Sequence, residues 1–341
     1  MPFSSRHRLN DSTVDPNYQI NQPADARRPS LAARIKDDIY AAALEYVGTT
    51  VFLLLALGCV QASAAEASSS QYGSNIERVM YIATGFGLSL LVSVWLFYRV
   101  TGGLFNPNVS LALLITGVIG PARFVLYAIA QLVGGITAAA IIEGLTPGVL
   151  ASNTFPAQGI NNAQAVFIEM FITSFLVIAV LMMAAEKHAA TPFAPIGIGL
   201  TIFVCHLFAV YYTGAGMNTA RSFGPAVVTG FPYSTQWIYW VGPFLGSLLG
   251  AAFYSILKHV RYWRLNPGQD TVDHRESPPD PVRRVRTSIS SRRSRSRSMD
   301  GSNGGTAVQF ANEKPVAPNE VAPAPSAADG VRGRRPNDSP V

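Results

Sequence analysis

The middle of this 341-residue chain is nearly devoid of charge. Asp, Glu, Lys and Arg make up 13% of all residues, low for a soluble protein, and 20 of the 26 Lys and Arg lie before residue 41 or after residue 258. The net charge of +6 therefore describes the ends of the chain and not its centre. Cysteine is scarce too. Cys59 and Cys205 sit inside apolar runs without CxxC or metal-like spacing, so they read as buried packing residues and no metal site is expected. The first forty residues lack an apolar h-region, which argues against a cleavable signal peptide. No nucleophile–base or ligand pattern emerges, so neither an enzyme nor a cofactor is expected.

What the chain does have is long apolar stretches. Six runs, about 41–62, 78–99, 121–143, 163–185, 193–212 and 236–258, meet the roughly 20-residue requirement for crossing a bilayer as a helix. Between the second and third, and again between the fifth and sixth, lie two segments too short to cross, 106–117 and 218–229. The second of these opens within T-G-A-G-M-N-T-A-R-S-F-G-P-A at 213–226. Asn218 is a preferred helix N-cap, and Arg221 falls in the first turn, where a cation opposes the helix dipole and needs a reason. Subtracting 112 leads to T-G-G-L-F-N-P-N-V-S, with Asn106 in the place of Asn218. The same offset relates G-F-G-L-S at 85–89 to G-I-G-L-T at 197–201, and Glu45 with Thr49 is echoed by Glu169 with Thr173. Self-similarity of this kind implies a duplicated membrane unit. The expected fold class is an all-α membrane protein of six transmembrane helices and two re-entrant half-helices.

Three spans per unit force the second unit to insert upside down, an inverted repeat with its functional site at the midplane. Both ends are Arg-rich, and Lys187 with His188 follows the fourth span, whereas 61–77, 144–164 and 229–235 are sparing of basic residues. The charge bias therefore places both termini in the cytoplasm. Expected boundaries are a mostly disordered N-terminal tail over 1–37, a membrane domain over 38–260 and a basic, disordered C-terminal tail over 261–341. The Arg-Ser run at 283–297 is read as a solvated, topology-setting tail that can touch anionic lipid and be weakened by phosphorylation at Ser288, Ser294 or Ser296. After six spans, nucleic acid is not an expected partner.

The topology puts four unlike residues at one level of the outer half. Phe86 lies eight residues into the second span, His206 six residues before the end of the fifth, and Ala215 with Arg221 dips in from the same side. An intramembrane Arg must face protein or water.

Across about 38–258 the chain resembles the major intrinsic protein family, the aquaporins and glycerol facilitators. The family's paired Asn-Pro-Ala signatures correspond to Asn106-Pro107-Asn108 and Asn218-Thr219-Ala220, followed by Arg221. Its four-residue constriction corresponds to Phe86, His206, Ala215 and Arg221. A Phe and a His there resemble the water-selective branch, and Ser222, Ala226, Tyr239 and Trp240 point the same way. Glu45 and Glu169 match the family's buried glutamates, which would anchor the re-entrant segments by accepting backbone N–H bonds. The resemblance implies a passive water channel in the lipid bilayer, expected in the plasma membrane as a homotetramer with one pore per subunit. Asn106 and Asn218 would offer amide donors to passing water, and the half-helix dipoles with Arg221 would repel cations.

Two residues depart from the pattern. Thr219 stands where proline is expected, which is predicted to reduce rigidity modestly. Asn108 stands where alanine is expected and has three outcomes open to it: donating into the pore, packing aside, or narrowing the centre. Alternatives for the whole chain are a glycerol or small neutral solute facilitator, an ion-coupled transporter, or a closed structural membrane protein. Candidate gating residues are Tyr18 and Tyr40, read as part of a tail able to plug the cytoplasmic mouth, and His188, a candidate pH-responsive group beside Glu186 and Lys187.

Overall fold

The structure, a computed structural model, describes residues 30–69 and 75–266. Eight α-helices account for most of them: α1 Leu31–Ser69, α2 Asn75–Phe97, α3 Pro107–Ile115, α4 Pro121–Leu145, α5 Asn162–Val180, α6 Ala194–Thr213, α7 Thr219–Val228 and α8 Ile238–His259. A π-turn, Leu181–Ala185, widens the end of α5. With their flanking turns, six of these helices run 23 to 36 residues, enough to cross the ~30 Å hydrocarbon layer. Their outward faces are as apolar as their inward ones, with Leu88, Phe171, Phe208 and Phe253 all exposed. A helix that is apolar all round belongs in lipid or deep inside protein.

Local sequence explains the ends of these helices. Pro121 starts α4 at its first position, where a missing N–H costs nothing. Asn161 and Gln164 cap α5 reciprocally, each side chain taking the other's backbone N–H at 2.9 Å. Gly214 closes α6 in the left-handed region, φ 79°, a conformation open to glycine at no steric cost. Both half-helices begin as expected, with Asn106 and Asn218 as N-caps of nearly identical backbone, φ −152° in each.

The packing reproduces the duplication. α1 lies along α4 as α5 lies along α8; α7 packs on α4 as α3 packs on α8; α2 meets α6, and α3 meets α7, on the axis relating the halves. We call the face where α1 begins proximal and the other distal. Chain direction then makes α3 descend from the centre to the proximal face and α7 from the centre to the distal face. The fold is an inverted repeat of two three-span units. Where α4 crosses α7, Gly224 has the carbonyl of Gly135 where a Cβ would stand, so only glycine permits that approach.

Two boundaries differ from expectation. Residues 31–37, read as tail, belong to α1, because Ser30 caps the helix by accepting the Ala33 N–H (3.2 Å) and Arg123 of α4 clamps Asp38 at 2.6 Å. At the other end, Tyr262–Arg264 forms a 3-10 turn beyond α8, with the Lys258 ammonium 5.4 Å from the Trp263 ring centre. Those residues too were assigned to a disordered tail.

Candidate functional site

The two half-helices meet at the centre through their N-caps. Asn106 Oδ1 accepts the backbone N–H groups of Asn108 (2.9 Å) and Val109 (3.4 Å), and Asn218 Oδ1 does the same for Ala220 (2.9 Å) and Arg221 (3.3 Å). Capping fixes each amide so that its nitrogen points away from its own helix. Each nitrogen then crosses over: Asn106 Nδ2 donates to the Met217 carbonyl (2.9 Å) and Asn218 Nδ2 to the Phe105 carbonyl (2.8 Å). One proton of each amide is taken this way, and the second is left for whatever occupies the adjoining cavity.

Those carbonyls are aimed by unusual backbone. Phe105 and Met217 are buried, non-glycine residues in the left-handed region, φ 50° and 53°. Such conformations persist only where the surroundings over-determine them. Here buried carboxylates do so. Glu45 Oε1 accepts the Phe105 N–H (2.6 Å), and Glu169 accepts the N–H groups of Gly216 and Met217 (2.8 Å each) and the Thr213 hydroxyl (2.7 Å). Gln131 secures Glu45 in turn, donating to it and to Ser110 at 2.9 Å each.

A cavity runs from the proximal face to this centre. Tyr98, Lys187 and Thr191 stand at its mouth, Phe52 and Ile198 line its wall, and Asn106 and Asn218 close its inner end. On the distal side the structure gathers Phe86, His206 and Arg221, and Ala215 is buried next in the chain to Gly214, whose carbonyl Arg221 reaches. The Arg221 carbon Cζ lies 5.1 Å from the Phe86 ring centre, a cation–π distance. Its Nη1 donates to the Ser152 carbonyl (2.7 Å) and Nη2 reaches the Gly214 carbonyl at 3.5 Å, while Nε has no protein partner. His206 Nδ1 lies 2.9 Å from the Ile202 carbonyl, which can only accept, so Nδ1 carries the proton and Nε2 is an unpartnered acceptor.

The departures from the repeated signature meet one another. Asn108 Oδ1 accepts both the backbone N–H (3.0 Å) and the hydroxyl (2.9 Å) of Thr219. Of the three outcomes open to Asn108, packing aside is the one observed. Thr219 is held by its partner through both of these bonds.

Of the gating candidates, Tyr40 and His188 are among the described residues. Tyr40 lies within α1, exposed, with Lys36 over its ring at 5.6 Å, so it is no part of a tail. His188 sits in the turn before α6, its Nδ1 accepting the Ala190 N–H. Its neighbour Glu186 is buried and engaged with Lys258 (2.7 Å) and Tyr254 (2.6 Å). Tyr18, Ser288, Ser294 and Ser296 lie outside the described residues.

Several contributors escaped the sequence reading. Phe105 and Met217 obey the 112-residue offset but carry no turn signal. Tyr127 obeys it as well, paired with Tyr239, which the resemblance marks only for selectivity; each hydroxyl donates to the carbonyl of Thr101 or Thr213, at 2.9 and 2.6 Å. Extending the offset along the whole chain picks out that pairing. Ser152, which holds Arg221 by its backbone, leaves no trace in residue identity.

Comparison with known proteins gives one consistent result. The family model described as Major intrinsic protein matches residues 33–254. Aquaporin-1 of Laccaria bicolor is 64% identical over 255 residues, covering 74% of this chain and 82% of that protein. Aquaporin-1 of Gibberella zeae is 48% identical over 228 residues, 66% and 71% of the two chains. Among solved structures, the aquaglyceroporin from Plasmodium falciparum superposes with a TM-score of 0.54 at 17% identity, covering 66% of this chain and 98% of that one, a likeness of fold.

Proposed function

The chain belongs to the major intrinsic protein family, and on that premise we propose that it is a passive channel conducting water in single file while excluding protons and ions. The observation that carries this reading is the distal cluster of Phe86, His206 and Arg221, in which two packed rings lie beside a buried guanidinium. Ala215 completes that ring as its small member.

Water entering from the proximal face follows the cavity to Asn106 and Asn218, whose remaining amide protons orient its oxygen toward the centre. The hydrogens of that molecule then point outward along both arms of the passage, which interrupts a continuous proton-relaying chain. The N-termini of α3 and α7 each present about half a positive charge to the same spot. At an effective dielectric of about 20, a cation about 4 Å from the Arg221 guanidinium is opposed by about 4 kcal/mol, roughly a thousandfold in population. An uncharged water molecule meets no such term. It finds donors in Arg221 and an acceptor in His206 Nε2 to replace the hydrogen bonds it leaves behind.

The distribution of basic residues supports a cytoplasmic proximal face. Arg34, Lys36, Arg99, Arg123, Lys187, Lys258, Arg261 and Arg264 belong to the ends and turns of that side, against Arg78 at the distal start of α2. Location in the plasma membrane and assembly as a homotetramer, one pore per subunit, belong to the same reading and are supported by family membership alone.

Purified protein in proteoliposomes tests the proposal by light scattering in sucrose and glycerol gradients. Fast water efflux with glycerol entry at the rate of empty vesicles is expected. Glycerol flux comparable to water flux would overturn the selectivity, and absence of water flux would overturn the channel itself.

A further inference from the structure

In the repeat, Thr219 corresponds to Pro107 and Asn108 to Ala220, each at an offset of 112. Position one of the first half-helix is thus a residue without an N–H, and position two of the second is one without a side-chain acceptor. The other diagonal of the same junction has both groups, and they are bonded to each other. A helix leaves its first four N–H groups unpaired. Asn218 takes two of them in α7, and the one at Thr219 needs another acceptor, which Asn108 provides from across the centre.

The last span reinforces both ends of this bridge. Pro243 has no N–H to give the Tyr239 carbonyl one turn earlier in α8. That carbonyl instead lies 3.1 Å from the Thr219 hydroxyl, whose single proton it shares with Asn108 Oδ1 as a second acceptor. One turn after Pro243, Ser247 donates to the Asn108 carbonyl at 2.8 Å. Asn108 and Thr219 are 5% and 3% exposed, so no bulk solvent replaces these bonds if one is lost.

Resting on the water-channel reading, we propose that Asn108 and Thr219 are a positioning pair: a polar bridge that sets the tip of α7 against α3 and thereby places the Asn218 amide for conduction. The two departures from the signature are mutually compensating, and each is harmful without the other. Asn108→Ala strands the Thr219 N–H. Thr219→Pro strands the Asn108 side-chain oxygen, Oδ1, and crowds it with a ring. Carrying both changes at once makes this diagonal equivalent to Pro107 and Ala220 and strands neither partner of the bridge, leaving only the Tyr239 carbonyl without its Thr219 contact.

The test is a double-mutant cycle on purified full-length protein, with thermal unfolding in detergent and water permeability per folded channel in proteoliposomes. Each single variant is expected to melt lower by about 3 °C or more, the effect of one stranded buried group in a domain of this size. Each is also expected to lose about threefold in permeability, the net worth of one hydrogen bond when it enters a barrier. Asn108→Ala/Thr219→Pro should lie nearer the parent than either single variant in both measurements, and Thr219→Ser should match the parent. Additive losses, or silent single variants, would overturn the pair. If Thr219→Pro alone does not fold, recovery of folded protein in the double variant supports the proposal and failure of both refutes it. A parent protein without water flux would reject the channel reading, while the melting cycle would still decide whether the bridge exists.

Discussion

The Phe86 ring lies flat on the His206 imidazole, centroids 4.2 Å apart and planes 27° from parallel. The contact ties α2 to α6 at that level, with the Arg221 guanidinium 5.1 Å from the Phe86 ring centre. Offset aromatic stacking of this kind adds about 1 kcal/mol beyond burial.

Replacing both rings therefore changes what fits and not whether anything passes. Phe86→Ala/His206→Ala is expected to keep water permeability within about twofold and to raise glycerol permeability at least about tenfold. Stopped-flow measurements in the two gradients check this, and a folded double variant still closed to glycerol would remove these residues from the selectivity ring.

In the proposed channel Arg221 acts by charge, and Nη1 anchors it to the Ser152 carbonyl. Arg221→Val is expected to conduct water while admitting monovalent cations or protons that the parent excludes. Fluorescent pH and ion indicators sealed inside vesicles read the leak. An equally tight variant would assign the barrier to the half-helix dipoles alone.

The two buried glutamates occupy corresponding positions but are used differently. Both oxygens of Glu169 accept backbone N–H groups, whereas Glu45 Oε2 has no partner among the described residues. A glutamine at 45 can put its NH2 where that free oxygen was, and one at 169 must aim a donor at a donor. Glu169→Gln should lower the melting temperature by about 3–8 °C, and Glu45→Gln by about 2 °C or less. Equal effects would contradict the hydrogen-bond pattern.

Near the proximal face, Lys258 and Glu186 are an ion pair 2.7 Å long, 4% and 1% exposed at their side chains. Breaking such a pair by removing one partner costs about 3–5 kcal/mol, whereas replacing both with apolar groups is often neutral. Lys258→Met should therefore melt roughly 10 °C lower, and Glu186→Leu/Lys258→Met should recover most of the loss. Failure to recover would give Glu186 a role that its Tyr254 bond does not exhaust.

The periodic features were legible in residue order, and the long-range partners were not. Asn106 and Asn218 announce α3 and α7 because a cap is a local device, and the expected segments 106–117 and 218–229 contain the observed helices. The early start of α1 depends on Arg123, 85 residues from Asp38, and no local pattern encodes it. The signature also revealed that Asn108 and Thr219 were odd without revealing that they touch. That knowledge requires knowing which residue of α3 abuts which residue of α7. The left-handed backbone at Phe105 and Met217 was hidden for another reason: glycine or asparagine normally marks such positions, and here distant carboxylates hold bulky residues there instead.

The crossed bonds from Asn106 to the Met217 carbonyl and from Asn218 to the Phe105 carbonyl make neither repeat self-sufficient. Each half lends the other the acceptor that finishes its own tip. A chain severed in the stretch joining α4 to α5 would yield two fragments with nothing to close their centres until they found each other, so the linker keeps together two mates that need one another.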